Sequence, residues 1–243
     1  MIPENHPRYR SLAVRERLAR CAREGIVTLE GLTAHGRGEA FDYLMGEQTG
    51  AAALQAERIA AALLLTADHP VISVNGNTAA LAADLIAGLQ EASGAAVEVN
   101  LFHRTEERIT RITRLLEEHG VRVLKGEAER LLPLSHDRAL CLPGGIGSAD
   151  VILVPLEDGD RCQALHRLGK KVIAIDLNPL SRTAQTADLT IVDEVTRALP
   201  HITTFCRELD QEEAKTLSTG YDNRIIRKAS LDEIIGRLTH ALD

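Results

Sequence analysis

The stretch PVISVNGNTAALAADLIAGLQEASGAAVEVNLF, residues 70–102, decides the fold. It opens with a short β-branched run, 70–76, which ends in Asn-Gly and predicts a buried strand. A helix rich in alanine and leucine follows over 77–94 and closes at Gly94, and 96–102 is a second predicted strand. A strand, a helix and a strand in this order predict two parallel strands joined by a helical crossover.

The same alternation continues toward the C-terminus. An amphipathic helix is predicted over 105–120, with Thr105 as its N-cap and Gly120 as its C-cap. The remaining predicted strands are 121–124, 150–156, 171–177 and 188–193, and the helices between and after them are 159–169 and about 194–209. The pattern predicts a Rossmann-like, doubly wound α/β fold with a mostly parallel sheet and helices on both faces.

Two helices are predicted before the first strand, over 11–25 and over 49–67. Between them, 28–48 is predicted to be irregular because several glycines interrupt any helical or strand pattern. We therefore expect a helical N-terminal segment, residues 1–68, that packs on a Rossmann-like domain, residues 69–243, and contributes to its site.

The least regular part of the larger domain is 125–149, in which LPGGIGS (142–148) is predicted to be a flexible loop. Because this segment precedes a strand and not a helix, we interpret it as a loop and not as a phosphate-binding cradle. Near the C-terminus, Ser230 and Glu233 have the spacing of a capping box, which predicts a helix start there.

Composition disfavours several classes of protein. The 243-residue chain has a formal net charge of -7 and only 2% aromatic residues, so we expect no binding of nucleic acid or of an anionic membrane. Its four cysteines are widely spaced, which predicts buried free thiols and no zinc site. No apolar stretch is long enough for a signal core or a membrane span, so the expected location is cytoplasmic.

Polar residues follow four of the predicted strands. They are Asn75, Gly76 and Asn77; Asn100, His103 and Arg104; Glu157, Asp158, Asp160 and Arg161; and Asp176, Leu177, Asn178, Ser181 and Arg182. In a parallel sheet the carboxyl ends of the strands share one edge, where ligands bind in folds of this kind. Each cluster by itself is also typical of an ordinary turn, but together they predict a ligand site at that edge.

The segment AHGRGEAFDYLMGE, residues 34–47, is a second candidate region for the site. Gly36 and Gly38 would let the backbone approach a ligand closely, and Arg37 can form two parallel hydrogen bonds to a phosphate. A solvated loop is the alternative interpretation. The sequence has no GxGxxG after the first strand and no GxxxxGK[ST], so any nucleotide is bound by another arrangement.

Several segments, taken together, resemble one family. They are NHPRYRSL, AHGRGEAFDYLMGE, PVISVNGN, NLFHRTEER, VPLEDGD, and IDLNPLSRTA followed by DLTIVD. In this order they closely resemble the archaeal-type 4-phosphopantoate–β-alanine ligases, also called phosphopantothenate synthetases. The resemblance runs from about residue 2 to about residue 200, and the chain diverges over 125–149 and after about residue 204.

The resemblance implies a Rossmann-like homodimer that works with ATP and Mg²⁺ in coenzyme A biosynthesis. In the implied reaction, ATP and 4-phosphopantoate give an acyl-adenylate and pyrophosphate. The amine of β-alanine then attacks the adenylate, which gives 4-phosphopantothenate and AMP.

The resemblance also assigns the contacts to ATP. They are Arg15, Arg37, Asp176, Leu177, Asn178, Arg182, Thr183, Glu194 and Val195. The family often has serine where this chain has Thr183, and residue identities vary at 194 and 195, where we expect backbone contacts. Considered by its chemistry alone, Asp176 is either a ribose ligand or a plain helix cap.

The charges of the substrates suggest further roles. A carboxylate approaching the α-phosphorus of ATP needs positive charge that becomes more effective as pyrophosphate leaves, which Arg15, Arg37, Arg182 and Mg²⁺ would supply. Asp158 and Asp160 are the candidate ligands of Mg²⁺, although acidic turn residues also simply face water.

The remaining candidates concern the two organic substrates. Arg8, Arg104, Asn75 and Asn77 are the candidates for binding the phosphate of 4-phosphopantoate, because a phosphate needs converging donors. Arg104 is alternatively a solvent-facing residue in a first helical turn. His35 is the best placed general base for the β-alanine ammonium group, with a structural histidine as the alternative. His35, Arg37 and Arg104 are thus the catalytic candidates.

Two other functions compete with the ligase. A Rossmann-like NAD-dependent transferase or deacylase would bind nicotinamide without consuming ATP, but the missing GxGxxG and the lack of a cysteine zinc ribbon disfavour it. A nucleotide-sensing module would bind ATP without turnover. The second cluster of base and arginine candidates over 34–47 favours turnover.

Overall fold

The computed structural model describes residues 3, 5, 6 and 8–240, so residues 1, 2, 4, 7 and 241–243 of the two predicted domains lie outside it. The helices are α1 (Tyr9–Arg23), α2 (Leu29–Met45), α3 (Ala51–Thr66), α4 (Gly76–Ser93), α5 (Glu106–Glu118), α6 (Gly159–Arg167), α7 (Arg182–Thr186), α8 (Val195–Glu208), α9 (Gln211–Thr219) and α10 (Asn223–His240). The strands are β1 (Pro70–Val74), β2 (Ala96–Val99), β3 (Glu129–Arg130), β4 (Leu140–Cys141), β5 (Val151–Pro155), β6 (Lys171–Ile175) and β7 (Leu189–Ile191).

Five of the strands form one parallel sheet in the order β2-β1-β5-β6-β7. In the middle of this sheet, Val71 of β1 is paired with Ala96 of β2 and with Ile152 of β5. The chain leaves β1 toward one edge and later returns on its other side, so the direction of winding reverses between β1 and β5. The predicted doubly wound α/β fold is confirmed, and this reversal is where ligands bind in such sheets.

The strands are apolar on both faces because helices or loops cover both faces. Ile72 and Val74 belong to a buried cluster with α3, α4 and α8, whereas Val71 and Ile152 belong to a second cluster with α6. The four cysteines are buried and free, as predicted. No helix in the described part of the chain has the length and apolar character needed to cross a bilayer.

The helices before β1 pack against later parts of the chain. α1 contacts α4, and α3 contacts α8, α9 and α10. These contacts place the first helices beside the sheet's crossover helices. The division into segments 1–68 and 69–243 stays a prediction.

The prediction that 28–48 is irregular is wrong, because α2 occupies most of it. The helix begins after Thr28, whose hydroxyl accepts a hydrogen bond from the Gly31 amide at 3.1 Å, and it ends at Gly46 in the left-handed region with φ +82°. Glycines lower the intrinsic stability of this helix, but a Cβ at Gly31 would clash with the side chain of Asn77. Glycine therefore lets α2 lie directly against the start of α4.

The predicted strand 121–124 is also wrong, since only Val123 forms a bridge, to Val97 of β2. The Arg122 amide donates to Oε1 of Gln90 at 2.9 Å, and Nε2 of Gln90 donates to the Arg122 carbonyl at 2.9 Å. A side chain of α4 thus uses the backbone groups that a longer strand would need.

The LPGGIGS segment is a tight, partly buried turn and not a flexible loop. Its amides bind a carboxylate of the chain itself, because Glu98 accepts hydrogen bonds from Leu142 at 3.1 Å and from Ile146 at 2.7 Å. A Cβ at Gly145 would overlap this carboxylate. Glycine is therefore needed there so that the turn can enclose Glu98.

The predicted capping box at Ser230 and Glu233 is wrong because both residues lie inside α10. Oε1 of Glu233 instead accepts a hydrogen bond from the Ala52 amide at 3.0 Å, at the start of α3. Glu233 therefore caps a different helix, whose first turn lies 181 positions earlier in the chain.

Candidate active site

A cavity of about 1290 Å³ lies at the carboxyl ends of the parallel strands, and we call it the main cavity. It is lined by residues that follow the strands, at 75–77, 101–103, 156–158, 176–178 and 194–197, and by residues of α1 and α2. The strand ends form its base and the two N-terminal helices form a wall. The predicted site edge and the 34–47 segment therefore face the same space.

Asn75 links β1 and α4 to the end of β5, where the winding direction of the sheet reverses. Its amide nitrogen donates to the carbonyl of Pro155 at 3.0 Å and to that of Leu156 at 3.1 Å. Its amide oxygen accepts from the Thr78 amide at 2.9 Å and so caps α4. Every polar atom of the side chain is used in these contacts, so Asn75 shapes the floor of the cavity between β1 and β5.

The residues after β6 form a polar turn that faces the main cavity. Asp176 accepts a hydrogen bond from the Asn178 amide at 3.0 Å and another from the hydroxyl of Ser181. Burial raises the pKa of Asp176, and these two hydrogen bonds oppose the shift. The turn presents oxygen and amide groups of the kind that bind ribose hydroxyls.

The residues after β7 carry charged groups that reach α2. Arg197 forms a bidentate ion pair with Asp42, with N–O distances of 2.5 and 3.1 Å, and its Nε donates to Asp193 at 2.9 Å. Glu194 caps α8 by accepting from the Thr196 amide at 2.7 Å. The Arg197–Asp42 pair thus ties the start of α8 to the helix that bears His35 and Arg37.

His35 and Arg37 project from α2 into the main cavity. Nε2 of His35 is buried and forms no hydrogen bond, and burial lowers the pKa of this imidazole. A neutral imidazole with a free nitrogen can accept a proton. Arg37 is exposed, and no hydrogen bond or ion pair joins it to another described residue. Its guanidinium is therefore available to a ligand.

Arg15 is held by a carboxylate of α2. Its guanidinium forms an ion pair with Glu39 at 2.8 Å, and the hydroxyl of Ser11 donates to the same carboxylate at 2.9 Å. The Arg15 side chain is nearly half exposed. These contacts link α1 to α2 at the wall of the main cavity.

A buried charge cluster lies beneath the cavity, where β5 ends. Glu157 is paired with Arg161 and, at 2.8 Å, with Arg138. Nη2 of Arg161 also donates to the hydroxyl of Ser73 at 3.1 Å. Asp158 caps α6 through one oxygen, while its Oδ2 is buried and forms no hydrogen bond. Burial raises the pKa of Asp158, and the neighbouring Glu157 adds to the shift.

A second acidic group, Glu57, Asp193 and His201, is the one set of side chains in the described residues arranged closely enough to hold a metal ion. Burial raises the pKa of Glu57 to about 10, so this carboxyl is protonated at neutral pH. Its proton can bind the adjacent Asp193 carboxylate, and its Oε2 lies 2.8 Å from Nδ1 of His201. Asp193 of this cluster also forms an ion pair with Arg197 at 2.6 Å.

Residues 52–237 match the model of the family described as phosphopantothenate/pantothenate synthetase. The chain belongs to this family. It is also similar to three proteins named 4-phosphopantoate–β-alanine ligase. The protein of Methanospirillum hungatei is 63% identical over 243 residues, which cover 100% of both chains. That of Methanosarcina mazei is 52% identical over 237 residues, 96% of this chain and 94% of the relative. That of Thermococcus kodakarensis is 47% identical over 244 residues, which cover 98% of this chain and 94% of the relative. The resemblance found in the sequence is confirmed.

Most of the residues that the family resemblance and the strand-end pattern assign to ligands line the main cavity. They are Arg8, His35, Arg37, Asn75, Asn77, Asp158, Asp176, Leu177, Asn178, Thr183, Glu194 and Val195. They come from seven places in the chain, and the fold brings them to one space. Their individual contacts with ligands stay predictions.

Four other assigned residues are absent from the part of the cavity lining that the structure describes. Arg15 lies with Glu39, as described above. Arg104 lines a separate groove beside α5. Asp160 and Arg182 form an exposed ion pair with a distance of 2.5 Å. The charges of Asp160 and Arg182 therefore balance each other at the outer surface of α6 and α7.

Sequence reasoning missed Arg108, Arg138 and Arg197, which line the cavity of this synthetase-family chain. Arg138 lies in the segment 125–149 that showed no regular pattern. Arg108 sits inside the amphipathic helix 105–120 and looks like an ordinary surface residue. Arg197 lies four residues after Asp193, which is the usual spacing of an ion pair on a helix. This spacing is the one feature of the sequence that could have indicated a role for Arg197.

Proposed function

We propose that this chain is an ATP-consuming ligase that joins 4-phosphopantoate to β-alanine in coenzyme A biosynthesis. The relatives named above carry the name of this activity. One observation supports the proposal most directly. The unpaired guanidinium of Arg37 faces the same cavity as the polar turn at 176–178 and the start of α8, so a nucleotide could contact all three.

The first proposed step activates the acid. A carboxylate oxygen of 4-phosphopantoate attacks the α-phosphorus of ATP, and the bond from that phosphorus to pyrophosphate breaks. An acyl-adenylate and pyrophosphate result. Arg37 stabilises the negative charge that moves onto the departing pyrophosphate, which is the interaction that must strengthen in the transition state.

Binding of the nucleotide is assigned to the residues after β6 and β7. Asp176 and Asn178 bind the ribose or the base, and Leu177, Thr183, Glu194 and Val195 complete the contact surface. The carboxylate of Glu194 already caps α8, so its contribution is its backbone. Arg15 and Arg182 would have to leave Glu39 and Asp160 to reach a phosphate.

The family resemblance implies Mg²⁺, and one carboxylate in the cavity suits it. Oδ2 of Asp158 is buried and forms no hydrogen bond, its nearest charged partner is Nε of Arg138 at 3.4 Å, and the residue lines the cavity. Mg²⁺ prefers oxygen ligands and is commonly held by one or two carboxylates together with phosphate oxygens. Asp158 would hold the ion, which would supply positive charge beside the phosphates. Asp160 fits less well because it is exposed and does not line the described part of the cavity.

The second proposed step forms the amide. The amine of β-alanine attacks the carbonyl carbon of the adenylate, a C–N bond forms, and the C–O bond to AMP breaks. The ammonium form of β-alanine must first lose a proton, and His35 accepts it through its free Nε2. The proposed homodimer and cytoplasmic location rest on the resemblance and on composition alone.

Replacing His35 by alanine is expected to slow attack by β-alanine more than tenfold, because general bases commonly contribute about 10²–10⁴-fold. Release of pyrophosphate should be unchanged, since the first step needs no base. Rapid-quench measurement of adenylate consumption checks this.

In the wild type the aminolysis rate should decrease with falling pH only below the usual histidine pKa of about 6.5, because burial lowers the pKa of His35.

The exposed His119 at the end of α5 offers a matched control. His119→Ala should leave both steps unchanged. A less than tenfold effect of His35→Ala on aminolysis would remove the base role from His35.

A single assay tests the proposed function itself. Purified chain is incubated with ATP, Mg²⁺, 4-phosphopantoate and β-alanine, and the nucleotide product is identified. We expect one AMP and one pyrophosphate for each 4-phosphopantothenate formed. ADP as the product would indicate an acyl-phosphate route. Binding of ATP without any turnover would favour the sensing module.

A further inference from the structure

The proposed nucleotide contacts occupy only one side of the main cavity. They follow β6 and β7, at one edge of the sheet, together with α2. The other side is formed by the start of α4, by the residues after β2 and by Arg108 and Arg138. This second side carries two arginines to which the sequence assigned no ligand.

Arg108 carries a positive charge that has no ion-pair partner among the described residues and is attracted only by the more distant Glu30 of α2. Its terminal nitrogens donate to the carbonyls of His103 and, at 3.0 Å, of Ile26, and its Nε is buried without a hydrogen bond. No carboxylate of the described residues lies within ion-pair distance of it. Burial lowers the pKa of Arg108, and repulsion by Arg138 lowers it further. An anion placed beside these groups would relieve the repulsion.

Arg138 is a buried cation at the same side of the cavity. Only 7% of the residue is exposed. Its Nη1 binds Glu157, but its Nε forms no hydrogen bond and lies 3.4 Å from Oδ2 of Asp158. Glu157 and Asp158 balance the charges of Arg138 and Arg161. Arg108 has no carboxylate at ion-pair distance among the described residues, and Glu30 offsets its charge only from farther away.

The start of α4 adds backbone donors to these cations. The first amides of a helix have no partner within the helix, and the helix dipole favours an anion there. The side chain of Asn75 already satisfies Thr78, which leaves the amides of Gly76 and Asn77. Nη2 of Arg108 lies 3.1 Å from the position that a Cβ of Gly76 would take, so the guanidinium packs beside the first residue of this helix.

We propose that Arg108, Arg138 and the start of α4 form the subsite that binds the phosphate of 4-phosphopantoate. The identity of this ligand rests on the proposed function. Two guanidiniums and the first amides of a helix suit a phosphate monoester, whose oxygens accept several charged hydrogen bonds. A phosphate held here places the acid between the two sides of the cavity and allows the site to reject unphosphorylated pantoate. This role replaces that of Arg104, which lines a separate groove.

The test compares Arg108→Gln with Arg108→Lys, and Arg114→Gln serves as a control on the exposed face of the same helix. Glutamine keeps a donor for the carbonyls but removes the charge. We expect Arg108→Gln to raise KM for 4-phosphopantoate roughly tenfold to a hundredfold. KM for ATP and the rate of any reaction with unphosphorylated pantoate should stay within about twofold. Lysine should recover part of the loss.

Equal losses with 4-phosphopantoate and pantoate would overturn the proposal, and so would an increase confined to KM for ATP, which would assign these groups to the triphosphate. If Arg108→Gln does not fold, the wild type decides the question. Inorganic phosphate should then inhibit competitively against 4-phosphopantoate. Competition against ATP alone would contradict the subsite.

A binding measurement separates this proposal from the proposed function. 4-Phosphopantoate should raise the melting temperature of the wild type more than pantoate does, and Arg108→Gln should remove the difference. An inactive wild type with this Arg108-dependent preference would contradict the ligase and retain the subsite. An active wild type whose variant keeps the preference would retain the ligase and contradict the subsite.

Discussion

Replacing Arg37 by alanine is expected to slow formation of the acyl-adenylate by about 10²–10³-fold, the usual effect of removing one preorganised donor from a developing negative charge. The side chain is exposed and has no hydrogen bond or ion pair with another described residue, so a loss of activity in the variant would report a lost ligand contact. The measurement is the exchange of pyrophosphate into ATP in the presence of 4-phosphopantoate, which reports the first step alone.

Two comparisons make this result interpretable. The melting temperature of Arg37→Ala should equal that of the wild type because no contact within the described protein is lost. Arg37→Lys should lose less activity than alanine, since it keeps the charge but cannot form two parallel hydrogen bonds. A loss of less than about tenfold in the alanine variant would mean that Arg37 does not stabilise this step.

Replacing Arg161 by methionine is expected to lower the free energy of unfolding by about 3–5 kcal/mol, because it breaks a buried ion pair and leaves a carboxylate undercompensated. Arg161 is completely buried, pairs with Glu157 and donates to Ser73. For a chain of this size the melting temperature should fall by about 6–20 °C. Chemical denaturation and thermal unfolding of the purified variant measure the change.

Arg114→Met is the matched control, since the Arg114–Glu118 pair is exposed and exposed pairs contribute little. Its stability should match that of the wild type. An Arg161→Met protein as stable as this control would show that Arg138 alone compensates Glu157. The double variant Arg161→Met, Glu157→Leu should recover part of the lost stability, because the uncompensated charge is then removed.

The fold class could be predicted because strands and helices in this chain have separable patterns. Short β-branched runs such as 70–76 and 171–177 stand between longer alanine- and leucine-rich segments, and helix caps such as Thr105 mark the boundaries. The polar residues after the strands could be predicted for a related reason. In a parallel sheet all strand ends share one edge, so their place in the chain already determines their neighbourhood.

The failures have one common cause, which is that the deciding partner is distant in the chain. The glycines of 34–47 suggested an irregular segment, yet α2 forms because it packs against Asn77 and Leu177. Glu233 resembled a local cap but caps α3. Arg197 binds Asp42 from 155 positions away. No window of sequence contains both members of such pairs.

By itself the sequence determined the alternation of strands and helices, the parallel sheet and the set of polar groups at its carboxyl edge. These follow from periodicity and chain direction, which are local properties. Only the tertiary structure decided which arginines are free and which are paired: Arg37 and Arg108 face the cavity without a carboxylate, while Arg15 and Arg182 are ion-paired. Pairing depends on distances of a few ångströms between remote segments, and these exist only after the helices have packed on the sheet.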